Sequence, residues 1–224
     1  MIIEEFIVTL FQQNARIVGC EKTRQAVCID PGGDARLIAA SIERLGLKLQ
    51  AIALTHAHID HIGGVGELKK LYPEAEIILH LADASLYRML PEQPLALGIP
   101  RAEWAALGME YDAPPALDRY WTNGEVYNVG KLEFQVLHCP GHTPGHVVLF
   151  EPRERAVFSG DCLFSGSIGR TDLPGGSTAQ LMNSLVEKIV PLGDDVKVYS
   201  GHGVATTIGR ERSANPFLTG VYKL

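Results

Sequence analysis

Apolar residues recur along the chain in short runs split by polar turns, and their spacing switches between strand and helix periods. Residues 2–10, 15–20 and 25–30 read as strands, followed by the turn Pro31-Gly32-Gly33 and by apolar positions at helical spacing over 35–45. A short buried strand at 50–54 comes next. Gly63-Gly64 opens a helix near 65–71, 77–80 returns as strand, and 83–90 reads as helix. Prolines and Gly98 break the pattern over 91–115, around one short helix at 101–106, and this stretch reads as a lid or a dimer contact. Further on, 125–129 and 132–137 form a hairpin about Gly130, and 147–150 and 156–159 are apolar strands joined by a charged turn. A helix over 181–190 beginning near Ser177, a strand at 196–199 and a helix at 208–213 complete the pattern. Strands alternating with helices in two similar halves predict the α/β class. Sheets laid face to face with helices outside would cover both apolar faces of each sheet.

The length, 224 residues and 24.4 kDa, suits one domain spanning 1–224. A formal charge of -6 with scattered Lys and Arg argues against a nucleic-acid partner, which would require a basic stripe. No apolar run reaches the roughly 18 residues of a membrane span. The start Met1-Ile2-Ile3-Glu4-Glu5-Phe6 is acidic where a secretory signal is basic, so a soluble, cytoplasmic protein is expected. Cys20, Cys28, Cys139 and Cys162 lack C-x-x-C spacing and read as reduced core residues.

Chemistry concentrates in Thr55-His56-Ala57-His58-Ile59-Asp60-His61, directly after the strand at 50–54. Imidazole nitrogen and carboxylate oxygen are metal ligands, and burying so many polar groups together is costly unless something coordinates them. His142, Asp161 and His202 each follow another apolar strand and have glycine neighbours. Glycine permits close backbone approach, so four strand ends can converge on one spot. His80 and His138 read as surface or hydrogen-bonded core residues. His146 reads as orienting a ligand by hydrogen bond rather than binding metal itself.

The series T-H-x-H-x-D-H, P-G-H-T-P-G-H, G-D and G-H resembles the metallo-β-lactamase superfamily, and within it the glyoxalase II branch. The nearest resemblance is to the short bacterial hydroxyacylglutathione hydrolases of the YcbL and GloC type. Gln13-Asn14, Asp30-Pro31-Gly32-Gly33-Asp34 and Asn215-Pro216-Phe217 extend the match over nearly the whole chain, with 81–118 least alike. The resemblance implies a four-layer αββα sandwich holding two divalent metal ions, zinc foremost, with iron and manganese also suited. His56, His58 and His142 would hold one ion, and Asp60, His61 and His202 the other. Asp161 would bridge them, and Asp60 would also steer the nucleophile. The implied activity is hydrolysis of S-lactoylglutathione or a similar acyl-glutathione, as in methylglyoxal detoxification.

Arg170, in Gly166-Ser167-Ile168-Gly169-Arg170-Thr171-Asp172, matches the loop that contacts glutathione in relatives and is expected to clamp a carboxylate. With 22 residues after His202, the C-terminal helical domain of the longer glyoxalase II enzymes is not expected here, and Val204 stands where they place a tyrosine. The main zinc β-lactamases have cysteine at the position of Asp161, which disfavours antibiotic hydrolysis. The alternative is a persulfide dioxygenase binding one iron through the positions of His56, His142 and Asp161. There, however, cysteine replaces His146.

Overall fold

Strands with apolar side chains on both faces need cover on both sides, and the chain supplies it by stacking two sheets between helices. The computed structural model describes residues 1–222. β1 (Ile2–Val8), β2 (Gln13–Gly19) and β3 (Gln25–Ile29) run antiparallel. After α1 (Ala35–Arg44), β4 (Lys48–Ala53) lies parallel to β3. The short helix α2 (Ile59–Ile62) and α3 (Val65–Leu71) lead to β5 (Glu76–His80). Helices α4 (Ala84–Arg88), α5 (Gln93–Ala96) and α6 (Arg101–Leu107) precede β6 (Arg119–Trp121), which completes a sheet ordered β1-β2-β3-β4-β5-β6.

The second sheet begins with the hairpin β7 (Val126–Val129) and β8 (Leu132–His138), followed by β9 (Val147–Glu151) and β10 (Ala156–Gly160). A small ribbon, β11 (Leu163–Phe164) with β12 (Ser167–Ile168), and α7 (Thr178–Ser184) intervene. β13 (Lys197–Ser200) then joins β10 in parallel, and β14 (Thr206–Thr207) and α8 (Ile208–Ala214) follow. The order is β14-β13-β10-β9-β8-β7.

Side-chain alternation distributes these strands among three cores. In β3, Ala26 and Cys28 join Ile38 and Ile42 of α1, whereas Val27 joins Phe134, Leu149 and Phe158 of the facing sheet. In β9, Val148 and Phe150 join Leu181 and Leu185 in a third core on the far side. The layers are therefore helix, sheet, sheet, helix. A side chain such as Phe158, fully buried in the middle core, is worth about 3–5 kcal/mol against alanine.

Three departures from the periodicity have physical reasons. The helix expected over 181–190 stops as a regular helix at Ser184, widens to π-helical winding over Leu185–Ile189 and tightens over Val190–Leu192, where Pro191 has no amide hydrogen to continue it. α2, β6, β11, β12 and β14 span two to four residues each, too short for a period to register. The irregular 91–115 stretch folds back on the body through Gln93, whose Nε2 donates to the carbonyls of Ala57 (2.8 Å) and Leu86 (3.0 Å). All four cysteines are buried and free.

Candidate metal centre

The sites of interest lie just past strand ends, where the backbone is rigid on one side and open on the other. β4 delivers His56, α2 carries Asp60 and His61 with His58 as its N-cap, β8 leads to His142, β10 to Asp161 and β13 to His202. The β10–β13 register shifts between Phe158 and Gly160, and Gly160 takes φ +47. A Cβ there would lie 2.5 Å from Thr55 Oγ1 and 2.7 Å from His146 Nε2, so only glycine makes this turn.

The structure brings all seven expected ligands together. The ligand atoms of His56, His58 and His142 lie within 4.8 Å of one another, as do those of Asp60, His61 and His202. Asp161 stands between the groups: Oδ1 is 3.3 Å from His61 Nε2, and Oδ2 is 3.6 Å from His142 Nε2 and 3.5 Å from His202 Nε2. His58 Nδ1 faces His142 Nε2 at 2.8 Å. His56 Nε2, His61 Nε2 and Asp161 Oδ1 are buried with no hydrogen-bond partner. Several unpartnered lone pairs converging in one place are costly by themselves and become favourable around a cation, so the donor set fits divalent metal.

A ring of hydrogen bonds turns those lone pairs inward. Asp30, at the end of β3, accepts from Thr55 N (2.7 Å) and Thr55 Oγ1 (2.6 Å), and its Oδ2 lies 3.0 Å from His61 Nδ1. With that oxygen as acceptor, neutral His61 carries its proton on Nδ1, so that Nε2 is the nitrogen a cation would take. His56 Nδ1 sits 3.0 Å from Thr55 Oγ1, whose own proton goes to Asp30, which likewise leaves His56 Nε2 free. His142 Nδ1 pairs with the Arg170 carbonyl at 2.7 Å, and His202 Nδ1 with the Phe11 carbonyl at 3.1 Å. Asp30, His56 and His61 also lie within ligand distance of one another, but the donors already on both Asp30 oxygens make it an anchor.

Asp83 is a second anchor. Its carboxylate accepts from Ala57 N, Thr143 Oγ1 and Gly145 N, tying the 55–61 loop to the 139–146 loop. Neither anchor is among the residues that the sequence marks as site candidates. Asp30 obeys the strand-end rule that picked out the ligands, whereas Asp83 lies in a short turn before α4 with no local signal. His146 Nε2 accepts from Asp161 N at 3.0 Å, and its Nδ1 lies 3.3 Å from Cys162 Sγ, so both nitrogens are committed away from the ligand groups. His80 and His138 stack on each other, centroids 4.1 Å apart, outside those groups. Cys139 belongs to the third core.

Electrostatics divide the imidazoles. Burial, and then the neighbouring His142, push His58 down to about 3, and burial with the surrounding histidines pushes His56 well below its ordinary range. Both are neutral, as ligands must be. Burial opposes charge on His61, but Asp161 and Asp60 outweigh it and raise its pKa well above the usual value. Burial likewise opposes charge on Asp161, and His61 prevails in holding it well below the carboxylate range. Two carboxylates this close call for positive charge, which a proton or a metal ion can supply.

A cleft of about 210 Å³ opens onto the ligands, walled also by Phe11, Gln93, Leu97, Arg170 and Leu173. The Arg170 guanidinium is 58% exposed and makes two bonds to Asp172, Nε to Oδ1 at 2.7 Å and Nη2 to Oδ2 at 2.8 Å. Among the described residues, no helix is long and apolar enough to cross a membrane.

This fold with this donor set defines a class, and comparison with known proteins agrees. The model of the Metallo-beta-lactamase superfamily matches residues 8–202, and the chain belongs to that superfamily. Within it, the chain is 39% identical over 220 residues to the hydroxyacylglutathione hydrolase GloC of Haemophilus influenzae, covering 97% of this chain and 98% of that one. Among solved structures it is similar to the BLEG-1 B3 metallo-beta-lactamase (TM-score 0.84, 37% identity, 98% of this chain and 100% of the other). TTHA1623 in a di-iron-bound form gives a TM-score of 0.83 at 37% identity, covering 96% and 100%. ETHE1 from Myxococcus xanthus gives 0.78 at 28%, covering 98% and 85%.

Proposed function

We propose that this chain is a metal-dependent thioester hydrolase that converts an acyl-glutathione, with S-lactoylglutathione as the reference substrate, to free acid and glutathione. The observation behind this reading is Asp161, one carboxylate within 3.3–3.6 Å of histidines from both ligand groups. In the proposal His56, His58 and His142 hold one divalent ion, Asp60, His61 and His202 hold the second, and Asp161 is shared. Zinc, iron and manganese suit the donors, and the di-iron form of TTHA1623 makes iron a concrete candidate beside zinc. When bound, such ions lower the pKa of a water enough to supply a nucleophile at neutral pH.

The chain's residues do the rest. Asp60 Oδ2 and His202 Nε2, 3.1 Å apart, would both face the second ion, which would leave the other Asp60 oxygen to orient the attacking water. Once that water has released one proton to solvent, the hydroxide oxygen would bond to the carbonyl carbon, the carbon–sulfur bond would break with its electron pair leaving on the thiolate, and the proton of the new carboxylic acid would pass to the thiolate or to solvent. His146, through Asp161 N, fixes the shared carboxylate. Arg170 is assigned to a glutathione carboxylate, exchanging its exposed partner Asp172 for the substrate. Four free, buried cysteines accord with a reducing cytoplasm, where glutathione is plentiful.

Similarity to the BLEG-1 lactamase favours a second reading, since a lactam carbonyl could meet the same nucleophile. Similarity to ETHE1 keeps the persulfide dioxygenase in view. The deciding experiment measures S-D-lactoylglutathione hydrolysis by metal-quantified protein beside a chromogenic cephalosporin and glutathione persulfide. Rapid thioester loss with two metals per chain supports the proposal. Cephalosporin turnover alone, or oxygen uptake with one iron and no hydrolysis, refutes it.

A further inference from the structure

Beside the metal cleft lies a second hollow of about 310 Å³. Its walls include Leu86, Met89, Ala96, Leu97, Leu173 and Pro174, drawn from three separate segments. The two spaces share His58, Gln93, Leu97 and Leu173, so a molecule reacting at the ligands can extend one arm against the apolar wall. No lysine or arginine lines it. Its one carboxylate, Asp83, is fully buried and occupied by Ala57 N, Thr143 Oγ1 and Gly145 N. Gln93 spends its Nε2 on two carbonyls. Met89 is 51% exposed, so apolar surface is left in water at the rim of the very hollow that adjoins the reaction centre.

An acyl-glutathione has two unlike arms. The glutathione arm carries two carboxylates and an ammonium, and burying these beside Leu86 and Leu97 without partners costs far more than it returns. An apolar acyl chain has the opposite balance, gaining with each methylene removed from water. Arg170, the one guanidinium in the metal cleft, is absent from the lining of the hollow. Charge recognition and apolar recognition are therefore separated on the two sides of the centre.

We infer that the hollow is an acyl subsite, and that the chain prefers thioesters of extended apolar acyl groups over the small, hydroxylated lactoyl group. This rests on the thioester hydrolase reading. It also gives the 91–115 stretch a task, since Gln93, Ala96 and Leu97 form one wall.

The test uses metal-loaded protein and glutathione thioesters of acetyl, butanoyl, hexanoyl, octanoyl and D-lactoyl groups. Catalytic efficiency, kcat/KM, should rise about two- to fourfold per methylene until the hollow is filled, with D-lactoyl near the short esters. Calorimetry with S-methyl- and S-hexylglutathione, thioethers that cannot be hydrolysed, should show the same preference as affinity. Met89→Asp should cut the hexanoyl-to-acetyl ratio at least tenfold. Ala96→Trp, at an exposed position on the same wall, should do likewise if the first variant folds poorly. Hydrolysis of D-lactoyl and acetyl esters with no chain-length trend overturns the acyl subsite and leaves the hydrolase standing. A trend seen with acetyl esters of lengthening alkyl thiols, and not with lengthening acyl groups, overturns it too, by giving the hollow to the thiol. Absence of turnover on every thioester sinks the hydrolase reading and the subsite with it.

Discussion

Asp30 is the most informative residue to perturb, because it is not itself an expected ligand yet orients two of them, His61 directly and His56 through Thr55. Its carboxylate is 2% exposed and takes Thr55 N on one oxygen and Thr55 Oγ1 and His61 Nδ1 on the other. Hydrogen bonds to a charged group are worth about 1.5–3 kcal/mol each, and stripping one partner from a buried charged network costs about 3–5 kcal/mol. Asp30→Ala should therefore destabilise the metal-free protein by that larger amount in a urea melt. Asp30→Asn separates packing from proton placement. It keeps the shape, but whichever way the amide sits, its NH2 meets Thr55 N or the Thr55 hydroxyl and His61 Nδ1–H. The cost should fall to about 1–3 kcal/mol. His61 would be released to place its proton on Nε2, facing the ligand cluster. Metal affinity, measured by competition with a chromophoric chelator, should then drop about 10- to 100-fold. Asp30→Asn with a metal Kd within twofold of wild type would refute the orientation argument, and an unchanged urea melt would refute the anchoring argument.

Other expectations follow from single contacts. Asp161→Ala should remove bound metal and thioester turnover together, as read by elemental analysis and rate; full turnover would sink the shared-carboxylate assignment. Gly201→Ala would drive a Cβ into Asp161 Oδ1 and His61, so metal content should collapse while the circular dichroism spectrum stays unchanged. Arg170→Ala should raise KM for glutathione esters several-fold at constant metal content and nearly constant kcat, and an unchanged KM would assign the side chain to Asp172 alone. Asp118 Oδ2 accepts from Ile77 N and, on its exposed side, from Lys69 Nζ, which together hold its pKa below the ordinary value. A depressed acid stabilises the fold above its unfolded pKa and loses that contribution as pH falls through the folded one. Asp118→Asn should thus be less stable than wild type near pH 6 and converge with it as pH falls below about 4; parallel melts at both pH values would refute this.

The division between what the chain spells out and what it conceals follows the range of the interactions. The apolar runs of β3 and β9 are local and survive in the sequence because each strand buries both faces. The ligands are legible for a related reason. His56, His142, Asp161 and His202 each sit within a few residues of a strand end, so one rule applied along the chain collects them. Asp30 satisfies that rule as well, but a single carboxylate before a Pro-Gly-Gly turn already has an adequate explanation as a turn residue. Asp83 lies beyond any such rule. Its three donors come from Ala57, Thr143 and Gly145, separated from it by 26, 60 and 62 positions. No local spacing encodes that meeting.

The hollow beside the centre has the same character. Leu86, Leu97 and Leu173 belong to segments with no common period, and they become one surface only when Gln93 fastens the irregular 91–115 stretch to Ala57 and Leu86. The ligand cluster is therefore written in motifs at strand ends, while the anchors and the shape of the adjoining hollow arise from contacts between loops distant in sequence. Substitutions in the 91–115 stretch should consequently change which acyl group is accepted without changing how many metal ions are held. Coupled loss of metal and selectivity across such variants would show that the two functions are not separable in this fold.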